Sequence, residues 1–287
     1  MKVIHSSYLY KRVGWSSNFH KEYYLNIHEE LIRRGHESII DIDGLYYDDA
    51  DFTIQADPEC IRQGGKGIWI GHALPVVPQN KFYYERSYYD TIHKNCDYIF
   101  TYSGEWVKWH EMYNLPTYNV GMPKLDTLFD NIDGGSILFA PTHSRKPNVY
   151  SAEKVDVSKL SNYGYDVIER GHPAFTDNQL SLHDSLKKSS IVISDYSSVG
   201  LEAITLNIPT ILIGDEKWKD VENDHMSGKA DEAAIRVYNQ TELEEAIEIY
   251  KNNPNHLESE RLKHSKILCN HQKTSSAKFV DTLERLI

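Results

Sequence analysis

The stretch Ser189–Gly214, SSIVISDYSSVGLEAITLNIPTILIG, decides the fold. Ile191, Val192 and Ile193 form a short β-branched run of the kind a strand covered on both faces uses. Ser194-Asp195-Tyr196-Ser197-Ser198 follows with turn chemistry and helix N-cap residues. Val199, Leu201, Ala203, Ile204 and Leu206 suit a short packed helix, Asn207 and Pro209 stop it, and Thr210–Ile213 make the next strand. A helix starting near Ser198 aims free backbone N–H groups and the positive end of its dipole past the strand's carboxyl end. With two hydroxyls at the same place, it forms a cradle for a phosphate or diphosphate. The plain alternative is an ordinary capped helix.

Outward from this stretch the same alternation recurs. Lys2–His5, a polar loop, a helix over Phe19–Arg34 closed by Gly35, and a strand over Ser38–Ile42 form a βαβ unit. Further strands are expected at Phe52–Ala56, Gly67–Gly71, Asp97–Thr101 and Tyr118–Gly121, with helices over Phe82–Lys94 and Glu105–Tyr113. Met122–Gly135, with a Pro, adjacent glycines and several Asp, is the linker candidate. Strands then restart at Ile137–Ala140 and Asp166–Glu169, with a helix over Ala152–Leu160 and a short one at Leu182–Lys188. After the deciding stretch come a strand at Ile235–Tyr238, a helix opened by Thr241 as N-cap, and two more helices. The fold class is α/β: two Rossmann-like domains facing across a cleft, with a C-terminal helical tail. The expected division is 1–132, acceptor side, and 133–287, nucleotide side, the last helix crossing back in one reading.

The chain has 287 residues, enough for two modest domains. Net charge is −11, and neither half is a polycation: 1–130 carries −5 and the rest −6. Bulk charge therefore disfavours nucleic acid as a partner. Three widely spaced cysteines form neither a disulfide framework nor a Cys-rich metal site, so a reducing cytoplasmic setting is expected. No apolar run reaches the length of a membrane span, although peripheral membrane contact stays open. Tyrosine, at 20 residues, is the compositional outlier.

Several segments at expected strand ends resemble, in order, the CDP-glycerol glycerophosphotransferase family of teichoic-acid synthesis, within the wider GT-B glycosyltransferase architecture. Gly121-Met122-Pro123-Lys124-Leu125-Asp126 resembles its Gly-x-Pro-Arg-x-Asp, and Ala140-Pro141-Thr142 its strand-following Ala-Pro-Thr. Gly171-His172-Pro173 resembles its His-Pro, and Ser194–Ser198 followed by Pro209 its Ser-Asp-Tyr-Ser-Ser and later Pro. The first half departs more. Trp69-Ile70-Gly71-His72-Ala73-Leu74-Pro75 stands where the family has Trp-His-Gly-Thr-Pro, and Lys124 replaces the Arg.

The resemblance implies a transferase moving a sugar or polyol phosphate from a nucleotide-diphosphate donor to an acceptor hydroxyl. His72 would be the base, an imidazole of near-neutral pKa. His172 would face the leaving diphosphate as it gains charge. Ser197, Ser198, Thr142, Ser144 and Arg145 would hold the donor phosphates, Arg145 by bidentate contact. Glu202 would take the ribose, Asp195 would fix the turn, and Gly14, Trp15, Ser16 and Gly71 would form loops toward the acceptor or donor. Asp41, Asp43 and Asp57 are reserve bases. No metal site is expected and no cofactor is obligatory. The acceptor would be a glycan, a polyol-phosphate polymer or, for a phage-type enzyme in a host cytoplasm, a hydroxymethylated DNA base contacted through Lys81, Arg86, Lys94 and Lys108. A nucleotide-sugar 2-epimerase and a non-catalytic nucleotide-sugar-binding protein are the remaining alternatives.

Overall fold

The computed structural model describes residues 1–6, 17–56, 62–70, 89–141, 155–171, 180–195, 197–214 and 230–287. These form two units. The first takes the described residues from Met1 to Phe129 together with Ile267–Ile287, and the second the described residues of Asp130–Lys266.

The first unit is built on a six-stranded parallel sheet in the order β2-β1-β3-β4-β5-β6. Its strands are β1 (Lys2–Ser6), β2 (Glu37–Asp41), β3 (Phe52–Gln55), β4 (Lys66–Trp69), β5 (Tyr98–Thr101) and β6 (Thr117–Asn119). Helix α1 (Ser17–Arg33) joins β1 to β2, α2 (Tyr89–Asn95) precedes β5, and α3 (Gly104–His110) follows it. Alternation along the strands divides the side chains between two faces. Val3, Phe52, Ile54, Ile68 and Phe100 face one core with Tyr23, Tyr24, Ile27 and Leu31 of α1. Trp69 and Ile99 face the other, with Ile92, Cys96 and Tyr113. Gly35, in the left-handed region at φ +80°, ends α1, and the amide of His36 reaches back to the Leu31 carbonyl in a Schellman closure.

The second unit carries a five-stranded parallel sheet in the order β11-β10-β9-β7-β8. Its strands are β7 (Ser136–Phe139), β8 (Asp166–Glu169), β9 (Ser189–Ser194), β10 (Thr210–Ile213) and β11 (Ile235–Val237). Helix α4 (Leu182–Lys187) leads into β9 and α5 (Ser198–Thr205) leaves it. Helix α6 (Gln240–Asn252) covers Ile137, Ile191, Ile193, Ile211 and Ile213 on one face. On the other face α5 lies so close that a Cβ at Gly200 would meet Leu212 at 2.7 Å and Ser194 at 3.5 Å. Coverage on both faces is why these strands read as unbroken apolar runs. Asn207, at φ +60°, ends α5, and the Arg261 guanidinium of α7 (Glu258–Leu268) holds its carbonyl and side chain at 3.3 and 3.1 Å.

Three expectations need correction. The helix expected over Ala152–Leu160 is, within the described residues, a 3₁₀ helix at Val157–Tyr163 started by the Asp156 carboxylate on the Ser158 amide. The N-cap of α6 is Asn239, not Thr241. Its side chain accepts from the Glu242 amide at 3.0 Å, and Glu242 accepts from the Tyr238 amide, a reciprocal arrangement that starts the helix two residues earlier. The Met122–Gly135 stretch is no free connector at its start. Met122, Pro123, Leu125 and Leu128 are buried, and Asp126 caps the last helix, α8 (Ser275–Glu284), accepting from the amides of Ser275 and Ser276 at 3.0 and 2.7 Å. Gly121, at φ +81°, lets the chain pass α8, where a Cβ would lie 2.4 Å from the Ser275 hydroxyl.

Candidate active site

In the second unit the chain leaves β7 to one side, toward β8, and β9 to the other, toward β10 and β11. The adjacent carboxyl ends of β7 and β9 are therefore the topological switch point, where open parallel sheets take ligands. Three segments singled out in the sequence emerge here side by side: Ala140-Pro141 from β7, Arg170-Gly171 from β8, and Asp195–Ser198 from β9. The Ser194 hydroxyl donates to the Ala140 carbonyl at 2.8 Å and ties two of them together.

The turn after β9 is built as the sequence predicts. The buried Asp195 carboxylate accepts from the Ser197 amide at 3.2 Å and fixes the turn. Ser197 is the N-cap of α5, in extended backbone, and its hydroxyl accepts from the Val199 amide at 3.4 Å, a long and weak contact. Ser197 and Ser198 are both half-buried, so neither residue is packed away in the core. Glu202 lies one turn further on and is only 1% exposed, which removes the reading of a solvated helix residue. His172, Thr142, Ser144 and Arg145 lie outside the described residues, although Pro141 and Gly171 lead directly toward them.

The first unit places its polar groups differently. Its own switch point, between β1 and β3, is filled by the fully buried Tyr24, whose hydroxyl donates to the Ser6 carbonyl and accepts from the Ala56 amide, both at 2.9 Å. Beside it, Ser38 Oγ sits between His5 Nε2 at 2.8 Å and His28 Nδ1 at 2.9 Å. Burial holds the His5 imidazole neutral, its pKa pushed down to about 3. On the opposite face His110 packs its edge on the Trp69 ring at 5.3 Å, and burial lowers its pKa to about 4. His72, Gly71, Gly14, Trp15 and Ser16 lie outside the described residues, as does Asp57.

Asp41 does not suit the reserve-base role. It is buried at the end of β2 and accepts from the amides of Gly44 at 2.8 Å and Leu45 at 3.2 Å, and from Gln63 Nε2. A carboxylate occupied in this way organises a turn, whereas Asp43 is exposed. Lys124, in the Gly-Met-Pro-Lys-Leu-Asp segment, lies over the Tyr23 ring at 4.3 Å. Of the cations considered for DNA, Lys108 pairs with Glu105 at 2.8 Å, Lys94 is exposed, and Lys81 and Arg86 fall outside the described residues.

Among the described residues, Glu232, Glu260 and His264 offer ligand atoms within 4.8 Å of one another. Lys263 already lies 3.2 Å from both carboxylates and offsets part of their charge. No described helix is long and apolar enough to cross a membrane.

What sequence reasoning missed is a set of buried polar atoms at the carboxyl ends of β3 to β6. Among the described residues, Gln55 Nε2, Trp69 Nε1, Thr101 Oγ1 and Asn119 Oδ1 have no hydrogen-bond partner, and neither does Ser103 Oγ just beyond β5. A buried polar group left unpaired costs about 1–3 kcal/mol. Strand-terminal polar residues after apolar ones were the available signal, but they read as ordinary strand ends.

No family model matches the chain, and no curated protein matches it in sequence. Solved structures do. The wall teichoic acid polymerase TagF superposes with a TM-score of 0.67 at 14% identity, over 99% of this chain and 88% of that one. A protein described as a UDP-N-acetylglucosamine 2-epimerase of Listeria monocytogenes gives 0.61 at 9% identity, over 99% and 95%. The S. aureus MnaA–UDP co-structure gives 0.59 at 11% identity, over 100% and 97%. At such identities the likeness speaks for the fold alone, and with the two doubly wound parallel sheets it identifies this chain as a GT-B-type α/β protein similar in fold to TagF.

Proposed function

We propose that the protein is a transferase that moves a sugar or polyol phosphate from a nucleotide-diphosphate donor to an acceptor hydroxyl. The observation that carries this reading is the half-buried Ser197-Ser198 amino end of α5, which follows β9 at the switch point of the second sheet. Backbone amides and a helix dipole stabilise a diphosphate most as it departs and gains charge. Ser197 and Ser198 contact the phosphates, joined by His172, Thr142, Ser144 and Arg145 from the neighbouring strand ends. Glu202 takes the ribose, and the second unit holds most of the nucleotide. His72 accepts the proton of the acceptor hydroxyl as its oxygen bonds to the transferred group and the bond to the leaving diphosphate breaks. Gly14, Trp15, Ser16 and Gly71 line the acceptor approach. Helix dipole and basic side chains take the part that a divalent ion plays elsewhere, so neither metal nor cofactor is required.

A second reading, a nucleotide-sugar 2-epimerase, is favoured by the fold likeness to the Listeria protein. It separates cleanly, because an epimerase gives product without any acceptor. Isothermal titration with CDP, UDP and GDP tests the shared premise. One nucleotide binds under the transferase reading, and His72→Ala retains that binding while transfer falls by roughly 10²–10⁴-fold. Absence of binding by all three to folded protein overturns it.

A further inference from the structure

The turn that enters β11 lies at the amino edge of the second sheet, opposite the edge that carries Ser197 and Ser198. Three ligand-bearing residues meet there. Glu232 belongs to the 3₁₀ turn Ala230–Ala233, which is anchored by the buried Ala233 and Ala234 just ahead of the strand. Glu260 and His264 stand four residues apart on α7 and so share one face of it. One donor atom from each of the three lies within 4.8 Å of the others. The helix that carries two of them is fixed in place. The Ser265 hydroxyl donates to the Thr205 carbonyl, and the Arg261 guanidinium holds Asn207, both at the end of α5.

The His264 ring decides what fits. Its Nδ1 lies 2.9 Å from the Glu260 carbonyl oxygen. A carbonyl only accepts, so Nδ1 carries the hydrogen, and in the neutral ring Nε2 carries a lone pair. That nitrogen faces Glu232 Oε2 at 3.6 Å, on a side chain only 6% exposed. Two acceptors thus face each other, and a cation belongs between them. A ring whose far N–H is held by a carbonyl is also the arrangement that metal-ligating imidazoles use. The carboxylates complement this rigid ligand, because Glu232 and Glu260 are 59% and 37% exposed and are free to turn. Atoms bonded at ~2.1 Å to one ion lie at most ~4.2 Å apart, so closing the site takes roughly half an ångström. Lys263 lies 3.2 Å from both carboxylates, but one ammonium leaves one of their two charges unbalanced. One imidazole with two carboxylates suits a borderline divalent ion such as Zn²⁺, whereas Mg²⁺ and Ca²⁺ prefer shells made of oxygen alone.

We propose that Glu232, Glu260 and His264 bind one divalent transition-metal ion of the zinc class, with water completing its shell and the exposed Lys263 displaced into solvent. The ion ties the turn entering β11 to α7, and α7 is in turn held on the end of α5. None of the three residues is assigned to donor or acceptor, so the ion braces this edge of the sheet and has no part in the transfer. The inference therefore stands or falls apart from the transferase reading. Its rival is a plain charge cluster, with Lys263 or a proton as the only cation.

The test uses the full chain, stripped with EDTA and dialysed, and titrates Zn²⁺ by calorimetry with Mg²⁺ as the hard-ion control. Zn²⁺ binds saturably at this site, and excess Mg²⁺ does not displace it. Glu232→Gln and Glu260→Gln keep the side-chain shape at positions open to solvent, and each weakens binding by roughly tenfold or more. His264→Gln weakens it at least as far. Because His264 is buried, the two glutamate variants judge the site where that protein does not fold. Lys263→Met removes the competing ammonium and tightens binding several-fold, a gain that a charge cluster without a metal does not give. Absence of saturable Zn²⁺ binding overturns the site. So does binding that is unchanged in both glutamate variants, which puts the ion on others of the 14 histidines. Lys263→Met binding no more tightly than the parent chain, or Mg²⁺ displacing Zn²⁺, overturns it as well.

Discussion

The carboxyl edges of the two sheets solve different problems. In the second unit β7 and β10 run apolar to their carboxyl ends, β9 ends in the buried Ser194, and much of the polarity lies in the turn beyond, in backbone amides and two half-buried serines at the start of α5. In the first unit the polarity is inside the sheet: His5, Ser6, Thr53, Gln55 and Thr101 are buried strand residues, and Tyr24 fills the switch point. An edge made of amides and dipole suits a charged, acceptor-only group. An edge whose neutral polar side chains are buried without partners among the described residues makes its own sheet more fragile.

The largest expected difference is in acid. His5 and His110 are buried and neutral, with pKa values near 3 and 4 against an ordinary 6.5. Above pH 6.5 both are neutral folded or unfolded and nothing is lost. Below it the unfolded chain takes up protons that the folded one refuses, so stability falls until the folded pKa values are reached. At pH 3 the loss is on the order of 5 kcal/mol for His5 and 3 kcal/mol for His110. Hydrogen exchange from pH 7 to 4 should therefore open β1, β4 and α3 before β9 and β10, and His5→Gln should flatten the slope. Simultaneous opening would remove the contrast.

Glycine substitutions sharpen it next. A Cβ at Gly67 of β4 would stand 1.9 Å from the Asn95 carbonyl oxygen, which is backbone and cannot step aside. Gly67→Ala should cost ~3 kcal/mol or more by denaturant unfolding. Gly200→Ala meets only the end of the Leu212 side chain at 2.7 Å and should cost about 1 kcal/mol. Equal costs would show that the helix–sheet approach in the second unit is as rigid as the contact between β4 and the end of α2 in the first.

Asp126→Ala strips the last helix of its cap and should destabilise the first unit by about 2 kcal/mol, with exchange rising across Ser275–Glu284 and not across β9. The smallest effect is expected at Ser197→Ala. Its capping contact is long, so stability should drop only about 0.5 kcal/mol, while nucleotide affinity falls several-fold.

Legibility in the sequence followed the same contrast. The second sheet was readable because Ile191–Ile193 and Thr210–Ile213 are apolar on both faces, and Ser197, Asp195 and Asn207 do locally what such residues do. Asn239 was missed because two cap-forming residues stand two apart and each has a Glu three residues on, Glu242 and Glu244, so local spacing does not decide between them. Asp126 reads as part of a ligand motif, yet its partners Ser275 and Ser276 lie some 150 residues away and no local pattern announces them. The row from Gln55 to Asn119 depends on the register of four strands. Neither spacing nor composition encodes that register, so each residue looked like an ordinary strand end.

The central claim is that the amino end of α5 receives a nucleotide diphosphate. Backbone amide spectra of the folded chain, recorded as CDP, UDP and GDP are added in turn, test it at the atoms concerned. One nucleotide should move the Ser198 and Val199 amides saturably and leave the Asn119 end of β6 unchanged. Saturable binding that leaves Ser197–Val199 untouched, or no binding at all, would contradict it.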